Sequence, residues 1–313
     1  MPTASGLFPE AMRARFGADR FRADAALAPF TTFKVGGSAD WLCETRSSDE
    51  LIEALKLAHH SSVPVTLLGG GSNVLIGDKG IRGLVIRTRG GQIEQLDPTH
   101  VRAEAPATIN GLVRWTIQRG LANLEAWAGT PGTVGGAIYG NAHFGGRLIG
   151  DLVTSVRLAD RDGATREVPK AEMEFGYDQS RLQRTREVLL SAVFSVVGGD
   201  PARLREIARQ SLAFRKRTQP LESPSAGCIF QNPDRDAVPA DIPASAGALV
   251  DRAGLKGHAI GNARISTAHA NFIVNEGSAT AADIRRLIDL CRLRVKERFG
   301  VMLLEEIVYL GEF

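Results

Sequence analysis

Two glycine-dense loops carry the residue types with the plainest chemical use. In LLGGGSNVLI (67–76), Gly69, Gly70 and Gly71 precede Ser72, Asn73 and Val74 between two apolar runs. Only glycine lets backbone N–H groups approach an anion at dihedrals closed to other residues, and successive N–H groups of this kind form a nest for phosphate or pyrophosphate. A tight turn with no ligand is the alternative reading. A second small-residue loop, GTPGTVGGA (129–137), ends near Asn141. Two such loops in one domain imply a long cofactor with a diphosphate between them. Neither loop continues into Gly-Lys-Ser/Thr, and neither is the strand-to-helix G-x-G-x-x-G fingerprint. A nucleotide held outside a Rossmann fold is therefore implied.

The elements that must position these loops alternate between helix and strand. A β-like stretch TTFKVGG (31–37) leads to a helix opening near Ser47, where Ser47 and Glu50 form a capping-box pattern ahead of Leu51, Leu55 and Ala58 on one face. An apolar strand follows at 63–68, then short strands over 81–109 and a helix over 110–120. Beyond the second glycine loop, 152–158, 165–168 and 188–197 read as strands, with a turn at Asp160-Arg161-Asp162-Gly163. Gly198-Gly199 breaks the chain before Asp200-Pro201, an N-cap and N1 pair opening a helix whose apolar face carries Leu204, Ile207, Ala208 and Leu212. A last helix runs from Thr280 to Phe299, with a Thr280–Asp283 cap pattern and Gly300 as its stop. The expected organisation is an N-terminal extension over 1–20, a domain over 21–199 in two lobes (about 21–87 and 88–199), and a second domain over 200–313.

Bulk properties bound the function. The chain has 313 residues, 43% hydrophobic and 23% charged, an ordinary globular balance with room for more than one core. A net charge of +3 is too mild to imply nucleic-acid binding. The absence of a long apolar run and of a secretory-type start leads us to expect a cytoplasmic protein without a membrane span. Cys43, Cys228 and Cys291 are far apart and show no C-x-x-C spacing, which argues against disulfides and against a zinc site. No metal is expected. Trp41, Trp115 and Trp127 read as core residues, and His59 and His60 as partners of a helix C-terminus.

Taken in order, TTFKVGG (31–37), LGGGSNVLI (68–76), GTPGTVGGA (129–137), PSAGCIFQNP (224–233), and AGLKG followed by HANFIVN (253–275) resemble the UDP-N-acetylenolpyruvoylglucosamine reductase (MurB) family over about residues 29–310. The resemblance implies an α+β (mixed α/β) fold: an FAD-binding domain of the PCMH or vanillyl-alcohol-oxidase type, followed by a smaller C-terminal α+β substrate domain. It implies FAD bound non-covalently, since Leu67 and Leu68 stand before Gly69 where related oxidases carry a linking histidine. NADPH is the implied reductant and a nucleotide sugar the partner. In such enzymes NADPH reduces FAD and leaves, and flavin N5 delivers hydride to the vinyl carbon of the enolpyruvyl ether. The uninterrupted spacing after Ser180 is similar to the shorter, type II form. A monomer is expected.

Hydride addition spreads negative charge from the α-carbon into the carboxylate, so a cation or acid must meet that charge and a second group must protonate the carbon. By resemblance the proton donor is Cys228, a stronger acid than the serine of many relatives, and the carboxylate is Glu306, leaving Glu305 to face solvent. Gly69–Val74 with Gly132, Thr133, Gly135, Gly136 and Ala137 would hold the cofactor. Tyr177, Arg215, Asn232 and Lys256 would hold substrate, with His269 and Asn271 nearby. Two positions depart from the family. Its Y-R-x-S pattern stands here as Tyr177-Asp178-Gln179-Ser180, so Arg181, or Arg184, is expected to supply the missing cation. Thr218 replaces a lysine before Gln219-Pro220. Two other readings remain open: an impaired flavin- or UDP-sugar-binding homologue, and a flavoprotein dehydrogenase acting on another substrate.

Overall fold

The computed structural model describes residues 4–313. The chain forms two compact units, and neither is contiguous in sequence. One comprises residues up to 25 with 40–70 and 83–213; the other comprises 26–39, 71–82 and 214–313. The linear partition at 199/200 therefore gives way to an interleaved one. The reason is visible in the packing: Phe33, Val35 and Leu75 are buried in the same apolar cluster as Ile229, Leu249, Ile284 and Leu287.

The first unit is built on two sheets. One has the order Phe21–Ala26, Ser38–Thr45, Ile81–Thr88, Val65–Leu67. The helix Ser48–His60 packs Leu51, Ala54, Leu55 and Ala58 into the cluster that holds Leu84 and Ile86 of that sheet. Its cap is half of the expected box. The Ser47 hydroxyl accepts from Glu50 N–H at 3.2 Å, while the Glu50 carboxylate accepts instead from Arg46 N–H and Arg20. The segment 1–20 is not an appendage in its described part: Phe8, Met12 and Phe16 of the helix Ala4–Phe16 are buried in this same cluster, and Trp41 packs edge-on against Phe8.

The second sheet is antiparallel, ordered Thr165–Pro169, Val153–Ala159, Val188–Ser195, His100–Glu104, Ile93–Asp97. Its central strand, VLLSAVFS, is buried on both faces, which explains its near-continuous apolar run. A register shift opposite Arg157 and Leu158 divides it: Val188 and Leu190 enter one cluster, whereas Leu189, Ala192 and Phe194 enter the other. The latter cluster also takes Leu112, Val113 and Ile117 of the helix Ile109–Gln118, fully buried Trp127, and Leu204 of the helix Pro201–Thr218. As expected, Asp200 caps that last helix through Ala202 and Arg203 N–H.

The second unit is also α+β. A three-stranded antiparallel sheet, Ala259–Ile260, Ala263–Ile265 and Ile273–Asn275, is covered by the helix Ala281–Phe299, which buries Ile284, Leu287, Ile288, Cys291 and Val295. Here the capping box is complete: Thr280 and Asp283 each accept from the other's N–H, and Gly300 ends the helix at φ 73°. Val74–Ile76 pairs in parallel with Val308–Leu310. Asn275 Nδ2 donates to Phe33 O at 2.9 Å and fixes the TTFKVGG stretch to this unit. Among the described residues no helix is long and apolar enough to cross a membrane.

Candidate active site

In the first unit the two glycine loops meet. A Cβ placed on Gly70 would lie 2.7 Å from Gly132 Cα, where backbone packs on backbone, and one on Gly69 would lie 2.7 Å from the Thr133 Oγ1 side chain, so a side chain at either position would collide. The second loop is braced from behind. Asn110 Oδ1 accepts from Gly129 N–H at 2.7 Å, and its Nδ2 donates to Thr130 O at 3.1 Å. Val134 and Gly135 N–H donate to Ala107 O and Ala105 O, while Gly136 N–H donates to Thr133 Oγ1. A Cβ on Gly135 would crowd Ala105 at 3.3 Å, whereas one on Gly136 would meet only Thr133 Oγ1 at 3.7 Å, and the N–H groups of both already serve the fold. Gly71 and Asn73 have similar work in the second unit. A Cβ on Gly71 would strike Phe30 O. Asn73 Nδ2 donates to Glu306 O at 3.0 Å, and Val308 N–H returns to Asn73 O at 3.0 Å. Asn73 therefore clamps the segment carrying Glu306.

The segments carrying Cys228 and Glu306 are paired in the second unit through one carbonyl. Ile229 O accepts from Glu306 N–H at 2.8 Å and from Ile307 N–H at 3.4 Å, and Phe230 bridges Glu305. On its other side the same stretch is bound to Asn271, whose Oδ1 accepts from Phe230 N–H at 2.9 Å and whose Nδ2 donates to Phe230 O at 2.8 Å. Buried Ala226, Ile229 and Phe230 anchor both sides of partly exposed Cys228, and Gly227 turns the chain at φ 79°. Cys43 and Cys291 have the bland role expected of them: burial pushes each thiol up to about 12. Glu305 does not face solvent as expected. It is 17% exposed and paired with Arg292 at 3.0 Å, because the terminal segment is held by an isolated bridge and does not run there as an alternating strand.

Arg215 is 6% exposed. Burial lowers its guanidinium to about 10, and a Cys228 thiolate would raise it, so the cation is within electrostatic reach of that thiol and stays charged at neutral pH. Asn232 Oδ1 accepts from Ala246 N–H at 3.1 Å and so fixes the start of the helix Ala246–Arg252. Lys256 pairs with Asp251 at 3.3 Å. Burial and the Lys256 charge lower the pKa of the His269 imidazole, and its Nδ1 accepts from Asn271 N–H at 3.3 Å.

In the first unit the turn carrying Tyr177 and Asp178 is buttoned to the segment after the second glycine loop. Asn141 Nδ2 donates to Gly176 O at 2.7 Å, and Ser180 Oγ and Gln183 Nε2 both donate to Tyr139 O. Tyr177 is 43% exposed. The expected cation is not delivered by its neighbours. Arg181 Nε binds Glu187 at 3.0 Å and its Nη1 binds Glu172 O at 3.1 Å, so the guanidinium is committed to the sheet edge. Arg184 pairs with Glu174 at 2.6 Å. Instead His143, which the sequence reading passed over, lies 3.3 Å from the Asp178 carboxylate with its ring 4.7 Å from that of Tyr177. A histidine directly after the Asn141-Ala142 pair was the available signal.

Comparison with known proteins agrees with both halves of this arrangement. Residues 39–169 match the model of an FAD binding domain, and 219–310 that of the UDP-N-acetylenolpyruvoylglucosamine reductase C-terminal domain. A UDP-N-acetylenolpyruvoylglucosamine reductase of Synechococcus sp. (strain JA-3-3Ab) is 40% identical over 296 residues, 94% of this chain and 92% of that protein. One of Heliobacterium modesticaldum is 38% identical over 283 residues, 90% and 88% of the two chains. The crystal structure of the Thermus caldophilus reductase (MurB) superposes with a TM-score of 0.77 at 31% identity, covering 93% of this chain and all of that one. A chain so matched from end to end belongs to the UDP-N-acetylenolpyruvoylglucosamine reductase family.

Proposed function

We propose that this chain reduces UDP-N-acetylenolpyruvoylglucosamine to UDP-N-acetylmuramate in peptidoglycan synthesis, with FAD as cofactor and NADPH as reductant, and that Cys228 and Glu306 are its acid pair. The observation that supports the residue assignment is the backbone hydrogen bond from Glu306 N–H to Ile229 O, which brings the segment carrying Glu306 against the segment carrying Cys228. An extended nucleotide cofactor suits the first unit, where glycine loops packed as closely as Gly70 on Gly132 leave backbone as the surface offered to a diphosphate. Bound FAD would supply the hydride, taken from NADPH and passed to the vinyl carbon.

The chain's own residues do the rest. Charge developing from the α-carbon into the carboxylate is met by Glu306 in its acid form, and the Cys228 thiol gives its proton to the α-carbon. Buried, charged Arg215 takes an anionic group of the substrate and steadies the thiolate left by proton transfer. Tyr177, Asn232 and Lys256 complete the substrate contacts, while the glycines and Thr133 serve the cofactor. The first unit is the FAD-binding domain and the second the substrate domain. The protein works as a cytoplasmic monomer, a reading supported by its reductant, by cysteines that form no disulfide and by a charge of +3 that favours no polyanion.

The test is a two-step reaction without oxygen. NADPH should bleach the flavin of the purified protein, and the UDP-enolpyruvyl sugar should then restore its colour. Bleaching with no substrate-dependent recovery would overturn the assignment.

A further inference from the structure

The Asp178 carboxylate is 7% exposed, and its Oδ2 has no hydrogen-bond partner among the described residues. A buried carboxylate in that condition is costly unless a positive charge stands beside it. His143 Nε2 lies 3.3 Å from Oδ1, without hydrogen-bond geometry but close enough to form an ion pair with it once the imidazole is protonated. The same imidazole lies against the Tyr177 ring at 4.7 Å between centroids and 32° between planes. One side chain therefore addresses two consecutive residues of the turn. The turn has little freedom to relax. Asp178 sits in the left-handed region at φ 54°, Gly176 O is held by Asn141, and Gln183 Nε2 binds Asp178 O at 2.9 Å. These bonds fix the backbone that carries the carboxylate.

We propose that His143 is a positioning residue for substrate reduction: as an imidazolium it cancels the Asp178 charge and sets the Tyr177 ring, so that the turn receives an anionic nucleotide sugar without repelling it. The proposal rests on the reading of Tyr177 as a substrate contact. Without the imidazolium, a fixed negative charge would stand next to a residue that contacts an anionic substrate, and like charges at such range weaken binding.

The test uses the FAD-loaded enzyme and four variants, with NADPH bleaching of the flavin as the internal control for an intact cofactor site. H143Q should raise KM for the UDP-enolpyruvyl sugar about tenfold and leave kcat within about twofold, a size typical of contacting pairs in double-mutant cycles. D178N should bind the substrate at least as well as the wild type. H143Q/D178N should return KM to within about threefold of D178N, since the charge that His143 opposes is gone. A double variant as weak as H143Q would show a structural role and overturn the proposal, as would an unchanged H143Q. If H143Q alone loses FAD, the decision moves to the D178N background: a double variant that keeps FAD and binds substrate supports the proposal, and one that loses FAD overturns it. Y177A separates the two readings. A raised KM in Y177A with no change in H143Q refutes the role of His143 alone, whereas an unchanged Y177A removes the Tyr177 reading and the proposal with it.

Discussion

The turn at 176–180 and the segment at 228–231 both carry residues assigned to the same substrate, yet they are held by different means. Around Cys228 the chain is fixed by backbone pairing of Ile229 to Asn271 and to Glu306, by the neutral side-chain amide of Asn271, and by buried Ile229 and Phe230. Around Asp178 it is fixed by side-chain hydrogen bonds from Asn141, Ser180 and Gln183 and by one ion pair. Backbone pairing, a neutral amide and apolar burial carry no titratable charge. Side-chain bonds and charges can be retuned by single substitutions. The difference suggests a division of labour, in which the proton-transfer group is placed rigidly and the charge at the turn is adjustable.

The comparison can be broken at three points, in descending order of effect. Glu306→Gln should lower turnover on the enolpyruvyl substrate by about 10²-fold with flavin bleaching by NADPH intact, the scale set by removing one group that meets developing charge; steady-state and half-reaction kinetics would show it. Asn271→Leu strips Phe230 of both its side-chain partners and leaves buried backbone N–H and C=O groups unpaired. A stability loss of about 2–4 kcal/mol follows from two such losses, measured by denaturant unfolding. At the other region Arg181→Met should cost about 1 kcal/mol or less, because Glu187 keeps Arg166 at 2.6 Å, and kcat should stay within about twofold. A large fall in kcat there would return Arg181 to the catalytic role first expected of it.

What could be read from the sequence followed from how each residue acts. Gly70 and Gly132 were legible because being glycine is itself their function: nothing else fits where the loops touch. The helix Ala281–Phe299 was legible from both ends, since Thr280, Asp283 and Gly300 act on their own neighbours. Ser47 and Glu50 had the same signature, but Arg20, brought in by the sheet, captured the Glu50 carboxylate. Distance along the chain defeated the rest. Arg181 looked available because Glu172 and Glu187 become its partners only when the sheet edge forms. His143 and Asp178 share no local pattern. The interleaved units were hidden for a related reason: the burial of Phe33 and Leu75 with the C-terminal helices leaves no mark on their own segments.

The central claim, that Cys228 supplies the proton, is tested most directly by single-turnover reoxidation. With the flavin first bleached by NADPH in the absence of oxygen, Cys228→Ala should slow the substrate-driven return of colour by about 10²- to 10⁴-fold, the usual weight of a general acid, while Cys228→Ser keeps most of the rate. Recovery in Cys228→Ala within about twofold of the wild type would contradict the account.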